Sequence, residues 1–370
     1  MAFRECPAPE DKAGPSLPRR VRSVGMLGLP QLPRTLAAAE RDARHTRADV
    51  RASALVDLVR LSRGAERPAA VRAIAQVLSA DASAELRADA AIALADAEAH
   101  EGREALLGAL GDAHLRVKQM ALLALGEVAA PDDAETLAAI EPFERAEEPE
   151  LRFQALIALV RLEPSQAPTR IERAASDGDG EIRAMAYRLA DELWAEHDVV
   201  PESFLARARA ALSDSTSAVR GTAAVFLGAR RESAAHAVLV GVIDGSIPAG
   251  TVADQQAAIE LSAELGLRQA IPGLRRRAFP SFASRFPPLA WHAKVALARL
   301  GESRAEHAIL SGLAGWTRET RTLAVVAAGR ARLVAARDAI KAFRGDPRRA
   351  DPEAVEEALS LLSAPLTTKG

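Results

Sequence analysis

A ten-residue pattern that returns ten times, at intervals of 31 to 37 residues, constrains this chain more than any other feature. It places an aliphatic residue first, usually Arg second, Ala at positions 5 and 8, Leu at 9 and a small residue at 10. It reads VRASALVDLV from Val50, LRADAAIALA from Leu86, VKQMALLALG from Val117 and LRFQALIALV from Leu151. IRAMAYRLAD from Ile182 and VRGTAAVFLG from Val219 follow, with looser copies from Ala253, Leu289, Thr320 and Ala354. Positions 1, 5, 8 and 9 share one face at 3.6 residues per turn, so each copy predicts an amphipathic helix, here called B.

A second amphipathic stretch precedes each copy, as at 67–79, 103–110 and 305–315. Turn residues divide the two, as in Gly111-Asp112, Asp177-Gly178-Asp179-Gly180 and Ser213-Asp214. Each unit is therefore helix A, turn, helix B. One such pair offers too little core to fold alone, so neighbours must stack, and stacking predicts an all-α solenoid (superhelix) of about ten pairs. Asp49, Glu85, Glu150 and Glu181 lie just before or at the start of their copies. There they would cap free amides and meet the positive end of the helix dipole. The Arg that follows would ladder to a neighbouring turn.

These residues resemble the HEAT-repeat superfamily, in the short form named for phycobilin lyase subunits. The resemblance covers residues 31–365 and implies an armadillo-like helical fold. It also implies that scaffolds for protein binding are the commonest use, with a few enzymes and cofactor-attachment factors. Residues 1–30 form a tail rich in Pro with the basic cluster Arg19, Arg20 and Arg22, and 366–370 a short C-terminal tail. The N-terminal tail is expected to be flexible.

Composition narrows the function. Aromatics make up only 4% of the chain against 49% hydrophobic residues, which suits thin layers of closely packed helices. Basic and acidic residues number 48 and 50, a balance that argues against nucleic acid as the partner. Cys6 is the only cysteine, so no thiolate cage for zinc forms. No run of apolar residues reaches the ~20 of a membrane span, and a cytoplasmic chain is expected.

Catalytic patterns are missing from the sequence. Deoxyhypusine hydroxylase, which shares the resemblance, implies several His-Glu pairs for iron, and only His100-Glu101 is present. A HEAT-like DNA glycosylase implies a basic groove, which the charge balance does not provide. No phosphate loop, H-E-x-x-H or G-x-S-x-G motif occurs. We therefore expect a non-enzymatic scaffold with no cofactor, whose partner is another protein presenting a helix or extended peptide. The alternative is a lyase-like, cofactor-handling protein.

Two features suggest where a partner would bind. Position 7 of the B pattern reads Val56, Ile92, Leu123, Ile157, Arg188, Val225, Ile259, Val295 and Val326. This aliphatic row, broken by Arg188, forms either an apolar groove on the concave face or a seam buried between helices. The second feature is Arg275, Arg276 and Arg277 followed by the stretch 279–292. That stretch gathers four of the thirteen aromatics into one inter-helix loop. Aromatic and Arg residues dominate interface hot spots, which selects Phe279, Phe282, Arg285, Phe286 and Trp291 as contact candidates.

Overall fold

The computed structural model describes residues 33–195, 199–279 and 289–363. The proposed tails, together with Phe282, Arg285 and Phe286, lie outside the described residues. Twenty α-helices alternate as A and B, and no strand occurs among the described residues. The A helices are α1 (Leu36–Asp42), α3 (Arg67–Ala80), α5 (Arg103–Ala109), α7 (Ala134–Ile140) and α9 (Ala167–Ala174). They continue as α11 (Glu202–Ala211), α13 (His236–Asp244), α15 (Ile271–Ala278), α17 (Ser303–Gly312) and α19 (Arg337–Lys341). The B helices are α2 (Ala48–Leu61), α4 (Ala84–Asp96), α6 (Leu115–Val128), α8 (Pro149–Leu162) and α10 (Gly180–Leu193). Then come α12 (Ser217–Ala229), α14 (Val252–Glu264), α16 (Ala290–Arg299), α18 (Arg318–Arg330) and α20 (Pro352–Ser363). Every copy of the pattern falls on a B helix, and the fold is an all-α solenoid of ten HEAT-type pairs.

The chain divides into two compact units, residues 1–124 and 125–370. In the first, Ala54, Leu55 and Leu58 of α2 and Ala90, Ala91 and Leu94 of α4 are buried, as positions 5, 6 and 9 require. Small residues there let helices approach closely. In the second, the same logic reaches its limit at position 10. A Cβ on Gly126 would stand 3.1 Å from the Ala158 backbone, and one on Gly329 only 2.7 Å from that of Ala358. The second unit also holds a buried aromatic cluster of Tyr187, Trp194, Phe204 and Phe226, with ring centroids 5.0–6.4 Å apart. Burial pushes the Tyr187 phenol up to about 12.

The predicted Arg ladder is present in both units. Position-2 arginines donate through Nη1 to carbonyls of their own turn and through Nε and Nη2 to an Asp in the next turn. In the first unit Arg51 grips Asp81 at 2.7 and 3.0 Å, and Arg87 grips Asp112 at 2.7 and 2.9 Å. In the second, Arg152 grips Asp177 and Arg183 grips Asp214, each at 2.8–3.0 Å. Each Asp also accepts the backbone amide two residues on, closing its own turn. Burial works against charge on Asp81, Asp177 and Asp214. The guanidinium and amide bonds outweigh it, and all three carboxyls are held below their ordinary value. Asp112 is lowered chiefly by its bond from Arg87.

The expectation for the preceding acids is half met. Asp49, Glu85, Glu150 and Glu181 sit in first turns, where they meet the dipole. The side-chain caps come instead from Ser83, Asp179, Thr251 and Thr317, one residue before the helix, because only there can an oxygen reach back to the free amides.

The seventh copy requires a correction of register. On α14 the buried residues are Asp254, Ala258, Ile259 and Ser262. Their spacing matches Ile182, Ala186, Tyr187 and Ala190 on α10. The copy therefore starts at Asp254, and Ile259 is a fully buried position 6. Position 7 is Glu260. The offset escaped notice because Ala occupies both 257 and 258, so either could satisfy the pattern.

Candidate functional site

With the register corrected, the position-7 row is neither a continuous groove nor a buried seam. In the first unit Val56 is 72% exposed, while Ile92 and Leu123 are half-buried. In the second unit Ile157, Val225, Val295 and Val326 are half-buried, and Arg188 and Glu260 interrupt them.

Arg188 is not free to act as an anchor in the arrangement seen here. Its guanidinium reaches from α10 to α14, past the intervening α12, and pairs with Asp254 at 2.9 and 3.2 Å. Asp254 occupies position 1, where seven of the other nine copies carry Val, Leu or Ile. Two departures from the repeat thus compensate each other across an intervening helix. The pair passes beside Gly250, where a Cβ would stand 2.9 Å from Ala218 and 3.0 Å from Arg188 Nη2. Only glycine leaves room for this strut.

The basic triplet is held internally as well. Arg277 donates to the carbonyls of Ile243 (2.7 Å) and Val242 (3.1 Å), and Arg276 to that of Asp244 (3.3 Å). These are among the carbonyls that the end of α13 leaves unpaired, so the two side chains cap that helix. Burial lowers the Arg277 pKa. Arg275 bonds Glu302 at 2.9 Å. Phe279 packs half-buried against the core beneath the Arg304 guanidinium, 4.1 Å from its ring centre.

Trp291, expected in the inter-helix loop, lies instead in the first turn of α16 and borders an open surface. It lies half-buried on α16, against Gly312, where a Cβ would stand 2.9 Å from the indole. Lys294 covers the ring at 4.1 Å, and burial lowers that ammonium's pKa. Beside Trp291 opens a cleft of about 590 Å³ across the B helices α14, α16, α18 and α20. Val295, Val326, Leu323 and Leu361 supply its apolar surface, and Leu323 is 45% exposed.

The polar rim is ordered. His292 Nδ1 and Glu260 Oε1 share a 3.0 Å hydrogen bond, and Gln256 Nε2 donates to the same oxygen at 3.0 Å. Arg299 lies 3.7 Å from Glu264. Glu260 and Glu264 of α14 are thus partnered by α16, while Arg330 of α18 also lines the cleft, exposed. Of the sequence candidates among the described residues, only Trp291 and the aliphatics Val295 and Val326 meet here. His292, Glu260, Leu323 and Arg330 were missed, although their registers on successive B helices could have placed them on the same face.

Among the described residues, no group of three or more His, Cys, Asp or Glu gathers closely enough to hold a metal ion. Among them, too, no helix is long and apolar enough to cross a membrane.

The paired-helix architecture defines a HEAT-like all-α solenoid. No protein-family model matches the chain, and no curated protein matches it in sequence. Similar folds occur among known structures. A chain in a homology model of the full-length AP-3 complex, in an intermediate open conformation, is 14% identical with a TM-score of 0.50. The match covers 81% of this chain and 58% of that one. YibA of E. coli is 17% identical (TM-score 0.47), with 72% of this chain and 92% of that one covered. The CpcE–CpcF complex of phycocyanin lyase from Nostoc sp. is 19% identical (TM-score 0.40), with coverages of 74% and 98%. At these identities the likeness is one of fold alone.

Proposed function

We propose that this protein is a non-enzymatic scaffold that binds a helix or extended peptide of another protein in the α14–α20 cleft. One observation carries the reading: an open cleft on the B-helix face joins an aromatic wall, Trp291, to half-buried aliphatic side chains, the exposed Leu323 and an ordered polar rim. Interface cores have this composition, with a desolvated aromatic anchor surrounded by polar groups that fix orientation. Neighbouring helices do not cover Leu323, which leaves apolar area available to a partner. Phe282, Arg285 and Phe286, which precede Trp291 in the sequence, belong to the same proposal as additional contacts.

Affinity capture of the full chain from its native organism, followed by mass spectrometry, tests this. Wild type is compared with Val295→Glu/Val326→Glu, which places charge on the apolar surface. A protein retained by wild type and lost from the variant is the expected result. Loss of no protein from the variant, or a tightly bound small molecule in place of a protein, would overturn the reading.

A further inference from the structure

We propose that Lys294 is a reactive-amine site that takes a planar aromatic aldehyde, held as an imine over the Trp291 indole. The site begins with a departure from the repeat. On α16 the core positions are otherwise kept, with Ala293 at 5 and Leu297 at 9 both buried. Position 6 holds Lys294, where each of the other nine copies buries an apolar or aromatic side chain, from Leu55 to Leu359. Leu or Val would fill that place with no charge to desolvate, whereas a half-buried ammonium gives up part of its hydration.

No carboxylate offsets that loss. Lys294 has no hydrogen bond or ion pair among the described residues, and burial alone acts on its charge. The acids of the neighbouring α14, Glu260 and Glu264, meet His292 and Arg299 of the same helix instead. The ammonium rests 4.1 Å from the centre of the Trp291 ring, a weaker partner for a cation than a carboxylate. Burial without a counter-charge lowers the ammonium's pKa. The free amine, which is the nucleophile, is therefore more abundant here at neutral pH than on a solvated lysine. Lys341 provides the contrast, since it is exposed and 3.8 Å from Asp338.

The reaction balances with the aldehyde as the only reagent. Lys294 releases a proton to water, its nitrogen adds to the aldehyde carbon, and the carbonyl oxygen leaves as water, so that C=N replaces C=O. Imine formation removes a charge from a half-buried place. It also attaches a flat ring within reach of the indole face that the ammonium now covers, where aromatic groups attract by offset stacking. Trp291 is held for this role by Gly312, where a Cβ would stand 2.9 Å from the indole. A pre-ordered platform loses little freedom on binding. An aliphatic aldehyde forms the same bond without the stacking, which selects the aromatic class. Lys294 does not line the α14–α20 cleft, so labelling of its amine and capture of a protein partner are read separately.

Salicylaldehyde with cyanoborohydride, applied to the full chain at neutral pH with the aldehyde limiting, tests the proposal. The hydride reduces the imine to a secondary amine, which mass spectrometry maps among Lys12, Lys118, Lys294, Lys341 and Lys369. Lys294 should be labelled on the order of tenfold faster than Lys341. Propanal in place of salicylaldehyde, or Trp291→Leu checked for wild-type helicity, should each lower that preference about threefold. Labelling of Lys294 no faster than Lys341, or a preference that survives in unfolding urea, overturns the site. A preference equally strong with propanal and unchanged in Trp291→Leu overturns the aromatic class.

Discussion

The pairs that carry the Arg–Asp ladder and the pairs that follow them handle their polar groups in opposite ways. From α2 to α12, α6 with its Lys118 excepted, the position-2 Arg is fixed to its own turn, and wherever the next turn supplies an Asp the guanidinium is neutralised. From α14 onward position 2 becomes Gln255, Ala290, Arg321 and Val355. The ladder stops, and the cleft, Lys294 without a carboxylate and the fully exposed Trp316 all lie within that second stretch. Regular repeats use their side chains on one another, whereas loosened repeats leave side chains free for a partner. The Arg188–Asp254 strut stands at the boundary and ties α10 to α14.

The largest expected effect comes from breaking that strut from one side. Asp254→Ala leaves a mostly buried guanidinium unpaired and should cost about 3 kcal/mol in urea unfolding. Restoring the repeat consensus on both sides, Arg188→Ile/Asp254→Ile, should recover most of that loss. A double variant no more stable than the single would show that the strut does more than compensate two departures.

Next in size is the helix contact at position 10. Gly329→Ala should cost about 2 kcal/mol, because its Cβ meets the Ala358 backbone at 2.7 Å. Gly126→Ala, at 3.1 Å, should cost less. Equal costs would contradict the closer α18–α20 approach.

Asp177→Ala removes one rung of the ladder and should cost about 1–2 kcal/mol. The acid dependence has a defined sign. Asp81, Asp112, Asp177 and Asp214 are lowered in the folded state, so their contribution is present above the ordinary carboxylate pKa of about 4. It is lost as pH falls through the lowered values. Removing all four Asp should flatten the stability profile in acid, measured as urea midpoint against pH.

Trp316→Ser is the smallest. It touches no core, and its stability should stay within about 0.5 kcal/mol of wild type.

How much of this was legible in the sequence depends on what each residue answers to. All ten B helices were, because local periodicity marks them, although the register of the seventh was not, and so was the Arg ladder as a type of contact. The Asp partners were not, because the loops between pairs vary in length and the reach of Arg across them depends on three-dimensional stacking. Ile259 was misplaced because consecutive alanines hide a one-residue shift that only burial resolves. The Arg188–Asp254 pair spans 66 residues and two pairs, beyond any local signal. Trp291 was found as an aromatic in a dense loop. The arginines beside it were selected on type alone, and type does not reveal that Arg276 and Arg277 cap the end of α13.

Hydrogen–deuterium exchange on the full chain, free and bound to a captured partner, tests the central claim most directly. The account predicts new protection at 252–264, 290–299 and 318–330, the B helices that form the cleft. Protection confined to the A helices, at 271–278 and 303–312, with those B helices unchanged, would contradict it.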